Sequence, residues 1–124
     1  NAYVDGGATN NWSTQVSFDG VTGTVLNEGP VGGTLAILYD QWVEIRVVID
    51  LDLNVQNFYY GGALLFTDSW TEGMSGGGAL NIGAVDLFAN GATSVFYDDI
   101  SLSNMPFLDA FENESTSEWH QTVP

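Results

Sequence analysis

The sequence predicts an all-β fold, an antiparallel β-sandwich of the jelly-roll kind. Three observations predict it. Fifteen glycines punctuate short runs rich in β-branched and aromatic residues, which is the spacing of a sandwich. Residues 42–50 (Trp-Val-Glu-Ile-Arg-Val-Val-Ile-Asp) alternate apolar and polar side chains with a period of two, the mark of a strand with one wet face. Finally, no segment carries a helical repeat, and a chain with one Lys or Arg in total cannot build the ion pairs that support helix surfaces.

Each element follows from local chemistry. Residues 12–18 read as the first strand, and Asp19-Gly20 as the turn after it. Residues 24–26 return, residues 27–33 (Asn-Glu-Gly-Pro-Val-Gly-Gly) form a loop, and residues 34–38 form a short apolar strand. In residues 42–50, Val43, Ile45, Val47 and Ile49 share a face that is expected to be buried, with Glu44 and Arg46 opposite. Trp42 is expected in the core at the strand entrance. Residues 51–54 turn the chain into a strand over 55–60. Gly61-Gly62 then marks a two-residue hairpin leading to a strand over 63–66. Residues 69–78 form a long loop with Trp70 in it, and two final strands are expected over 80–88 and 94–102. After residue 104 the composition becomes acidic and polar. The domain reading is therefore a sandwich over 1–104 and an acidic C-terminal tail over 105–124.

Composition narrows function. The hydrophobic fraction of 44% and aromatic fraction of 13% suit a folded domain of 124 residues. Sixteen acids against one base leave a net charge of −15. Such a surface opposes binding to nucleic acid and to anionic lipid, and no apolar run is long enough to insert as a membrane helix. With no cysteine, thiolate metal sites, disulfides and cysteine nucleophiles are excluded. Charge of this size is best tolerated in a saline or calcium-containing medium, so a secreted or cell-surface location is expected, with the chain processed or cut from a longer precursor.

Two stretches carry a resemblance. Residues 41–51 (Gln-Trp-Val-Glu-Ile-Arg-Val-Val-Ile-Asp-Leu), followed by residues 58–65 (Phe-Tyr-Tyr-Gly-Gly-Ala-Leu-Leu), resemble the central hairpin of concanavalin A-like, laminin-G-like jelly rolls. Residues 96–102 (Phe-Tyr-Asp-Asp-Ile-Ser-Leu) resemble the closing strand of such domains and of bacterial carbohydrate-binding modules. The resemblance implies a domain of an exported bacterial protein and covers about residues 34–124. It also implies more strands than this chain supplies, so either the sandwich is reduced or it is incomplete without a partner strand or chain.

Candidate chemistry follows. The acid spacing of the hydrolases that share this fold is missing, and His120 lies in the polar tail, so no enzyme activity is expected. Sugar binding uses aromatic platforms beside hydrogen-bonding groups, and the candidates are Trp70 first, then Trp12, Tyr59 and Tyr60. The partner would be a carbohydrate or cell-surface glycan. Calcium is the candidate cofactor. Asp50, Asp52 and Asn54 alternate as in the start of an EF-hand loop, without its Gly and closing Glu, so an acidic turn is the competing reading. Asp98 or Asp99 is a second candidate ligand by the resemblance, or else a partner for Arg46. The alternative function is a structural subunit that self-assembles through its sheet edges and C-terminal tail into an oligomer or extracellular filament.

Overall fold

The computed structural model describes residues 12–104 apart from 77 and 93. Residues 105–124, with the expected tail and His120, lie outside the described residues. The chain divides into two compact units, Asn1–Leu87 and Phe88–Pro124.

The first unit is all-β, as expected. Six strands form two three-stranded antiparallel sheets: β1 (Val16–Asp19), β2 (Thr24–Asn27) and β3 (Thr34–Ala36), then β4 (Ile45–Asp50), β5 (Val55–Tyr60) and β6 (Ala63–Ser69). The architecture is consistent with a β-sandwich. In both sheets neighbours in space are neighbours in sequence, so the described strands form two meanders, without the crossing connections of a jelly roll.

Turn chemistry sets the hairpins. Asp19 Oδ1 accepts the Val21 and Thr22 amides at 2.8 and 3.3 Å, and its Oδ2 accepts the Thr22 hydroxyl at 2.7 Å. These bonds close the β1–β2 turn and hold the Asp19 carboxyl below its usual range, the Thr22 hydroxyl contributing most. Gly61 and Gly62 join β5 to β6 at φ of 56° and 81°, a left-handed pair that a two-residue hairpin requires. Gly33 has another role. A Cβ there would lie 2.4 Å from the Leu65 carbonyl oxygen, so its bare Cα lets the β2–β3 loop meet β6.

The core lies between the sheets. Val25 of β2 clusters with Phe58, Tyr60, Leu65 and Phe66 of β5 and β6, and Val16, Leu35, Ile37 and Val43 pack around them. Phe58 stacks on Phe66 at 5.6 Å, and Phe18 meets Tyr60 edge-on at the same separation. Leu65 and Phe66 are consecutive, yet both are buried. A register shift at Phe58/Tyr59 explains this: Tyr59 pairs with Leu64, but Phe58 pairs with Phe66. The bulge turns two neighbours inward and re-phases the rest of β6.

Three expectations are corrected. The Ile45 and Val47 face of β4 is only partly covered; these side chains are 46% and 37% exposed. They share a face with buried Tyr60 and Phe58, their register partners, but among the described residues β4 has a neighbouring strand on one side only. Trp42 is 74% exposed rather than core, because the ladder begins three residues later at Ile45. The strands expected over 80–88 and 94–102 do not form among the described residues. Left-handed backbone at Asp99 interrupts the second of them. In the first, a tight turn brings the Asn81 amide to the Ala79 carbonyl, and Gly83 adds no packing surface.

Candidate functional site

The outer face of the β4–β5–β6 sheet gathers a set of polar side chains around an aromatic one. Register places Arg46 opposite Tyr59, which lies opposite Leu64, and places Asn57 opposite Thr67. The Arg46 guanidinium sits 4.4 Å over the Tyr59 ring centroid, a cation–π contact. Arg46 Nε also lies 3.8 Å from Glu44 Oε2, with both side chains about half exposed or more, so this ion pair is weak. Beside them the Thr67 hydroxyl donates to Asn57 Oδ1 at 2.6 Å. The result is an aromatic ring flanked by a cation, a carboxylate, an amide and a hydroxyl on one open face. Such a face supplies planar stacking and paired donors and acceptors; it presents no nucleophile with a base beside it.

The other expected platforms lie elsewhere. Trp70 is only 2% exposed. Its indole Nε1 donates to the Asn81 carbonyl at 2.8 Å, so it anchors the 70–81 loop and offers no stacking surface. Its polar, glycine-rich setting in the sequence hid this role, because its hydrogen-bond partners, the carbonyls of Asn54 and Asn81, lie more than ten residues away in the chain. Tyr60 is 5% exposed, and its hydroxyl accepts the Leu38 amide at 3.0 Å. An open apolar pocket of about 300 Å³ lies beside it, lined by Leu35, Ala36, Leu38, Tyr60, Gly61 and Ala63. Trp12 is half-buried and exchanges bonds with Ser75, through the Ser75 hydroxyl at 3.2 Å and the Ser75 amide at 3.1 Å. Of the four aromatic candidates, Tyr59 is the one set among polar side chains on an open sheet face.

The oxygen-rich turn 50–54 is built as a capped turn. Asp50 Oδ1 accepts the Leu53 amide at 2.8 Å. Asn54, at φ of 56°, accepts the Thr71 amide at 3.0 Å and donates to the Thr71 hydroxyl at 2.8 Å. Asp52 is exposed. Asp98 accepts the amide of Asp99 at 2.9 Å.

Two polar residues that sequence reading missed hold the site's underside. Gln56 is fully buried. Its amide donates to the Ser13 and Ser69 carbonyls at 2.7 and 3.1 Å, and it accepts the Thr14 hydroxyl. This ties the chain before β1 to the centre of the second sheet. Asp68, its register partner, accepts the Ser69 amide through Oδ1, whereas its buried Oδ2 has no hydrogen-bond partner among the described residues. The signal for Gln56 was its even-numbered position among Phe58 and Tyr60; the identity of its partners was not in the sequence.

No protein-family model, curated protein or solved structure matches this chain. Among the described residues no helix is long and apolar enough to cross a membrane.

Proposed function

We propose that this chain is a non-catalytic carbohydrate-binding or adhesion module of a secreted bacterial protein, and that it holds its glycan on the outer face of β4, β5 and β6. The observation that carries this reading is the half-buried Tyr59 ring, with Arg46 over it, set on one sheet face with Glu44, Asn57 and Thr67. A sugar presents apolar C–H faces and a rim of hydroxyls, and this face offers an aromatic and both hydrogen-bonding senses within one strand spacing. A neutral glycan is favoured, because a chain of net charge −15 repels anions. The resemblance of residues 41–51 and 58–65 to concanavalin A-like domains supports the same reading. Calcium belongs to the proposal at Asp50, Asp52 and Asn54, or at Asp98 and Asp99.

The test is a glycan screen in saline followed by calorimetry, with and without calcium. Tyr59→Ala and Asn57→Ala should each weaken binding about tenfold, or about 1.4 kcal/mol, with the fold retained. A screen with no neutral glycan bound, or binding indifferent to Tyr59→Ala, would sink the reading. Trp70→Ala is a poor probe, since it removes a buried anchor.

One observation favours the second reading, a structural subunit that assembles through its sheet edges: Ile45 and Val47 are incompletely covered on β4, which no described strand pairs on its outer side.

A further inference from the structure

We infer that β4 pairs antiparallel with β4 of a second copy of this chain, about a two-fold axis at Val48. The open edge provides the template. The Gly61 amide donates to the Glu44 carbonyl at 3.0 Å, so Glu44 directs its backbone at β5. By the alternation of an antiparallel ladder, Arg46, Val48 and Asp50 do the same. Ile45, Val47 and Ile49 therefore turn their N–H and C=O groups outward, and no described strand pairs with β4 on that side. Their side chains line the core-facing side of the sheet, and two of them are incompletely covered.

Register then selects the partner. Two symmetric registers overlap five strand residues and keep each face on its own side. Centred on Val47, Arg46 faces Val48 of the second copy and meets no opposite charge. Centred on Val48, Val47 faces Ile49 of the second copy as the hydrogen-bonded pair, and the outward backbone groups meet. Arg46 then faces Asp50 of the second copy, twice over by symmetry, at the non-hydrogen-bonded positions where side chains approach most closely. The one strong base in a chain with sixteen acids thus lies on the edge strand, four residues from an acid, in the arrangement that makes β4 complementary to itself. Such a contact is isologous and closes as a dimer. It joins two three-stranded sheets into a continuous one and brings two Tyr59 faces onto the same surface. The charge of −15 on each copy opposes contact in low salt and is screened in saline.

Sedimentation equilibrium of the whole chain tests this, in saline and in low salt. The wild type should show twice the 13.3 kDa chain mass in saline and dissociate in low salt. Arg46→Asp and Asp50→Arg should each be monomeric, because each sets like charges opposite one another. An equimolar mixture of the two should recover the doubled mass, since both cross-strand pairs are then opposite in sign. Should Asp50→Arg fail to fold through loss of its turn bond, Val47→Pro serves instead: it deletes an outward amide, spares the β4–β5 ladder and should be monomeric. A wild type that stays monomeric in saline at every concentration overturns the proposal. So does a dimer that survives Arg46→Asp or Val47→Pro, or a mixture of folded variants that stays monomeric. None of these results bears on glycan binding by the single chain, which the Tyr59→Ala titration reads separately.

Discussion

β4 and β5 are the same length, pair along their whole extent, and both alternate. They differ sharply in burial. In β5, Gln56, Phe58 and Tyr60 are all buried, whereas no residue of β4 is. Yet β4 has the cleaner apolar pattern, and β5 places an amide in its buried row. Alternation marks which face a side chain takes. The number of neighbouring strands decides how much of that face is covered, and β5 has a strand on both sides.

The comparison is sharpest in Phe58→Ala against Val47→Ala. These residues are register partners on the same face. Emptying the Phe58 site, with its stack on Phe66, should cost about 3–5 kcal/mol in chemical denaturation. Truncating exposed Val47 should cost less than about 1 kcal/mol. Equal losses would mean that β4 is as buried in solution as β5.

Gln56→Leu probes the polar member of the buried row. It strips a donor from the Ser13 and Ser69 carbonyls and should destabilise by about 1–3 kcal/mol, despite the larger apolar side chain. A stabilised variant would show that the amide knot contributes no net stability. On the outer face, Arg46→Gln removes the cation over Tyr59 and should cost about 0.5–1 kcal/mol, shrinking in high salt. A loss as large as that of Gln56→Leu would make the outer face a second stability centre.

The smallest effect lies in the first sheet. The turn bonds lower the folded pKa of Asp19 from 3.8. A carboxyl depressed on folding adds stability that is complete above its unfolded pKa and is lost as pH falls through the lowered folded value. Acid unfolding below about pH 4 should therefore lose this contribution. The part of the pH slope due to Asp19 should vanish in Asp19→Asn; an unchanged slope would assign acid lability to other carboxylates.

Much of this was legible. The Gly61-Gly62 hairpin, the Asp19 turn, the extent of β5, and the shared outer face of Glu44 and Arg46 all follow from local rules of turn chemistry and period two. The candidate site was half legible. Tyr59 was picked out, but in company with Tyr60, its neighbour on the opposite face, and with Trp70. The Phe58/Tyr59 bulge was not legible, and it matters: counting back from the hairpin without it would set Asn57 opposite Phe66 and turn Thr67 inward. Residues 80–88 and 94–102 show the reverse failure. Their apolar content reads as strand, but a strand also needs a partner edge, which sequence pattern does not supply.

By itself, the sequence determined the all-β class, the turns and the absence of thiol chemistry, because these depend on residue type and on neighbours a few positions away. Only the tertiary structure decided that Trp70 is an anchor, that Trp42 is exposed, and that Arg46 lies over Tyr59. Those outcomes depend on which strand has a neighbour on each side and on one extra residue in β6. Both are long-range geometric facts that no local pattern encodes.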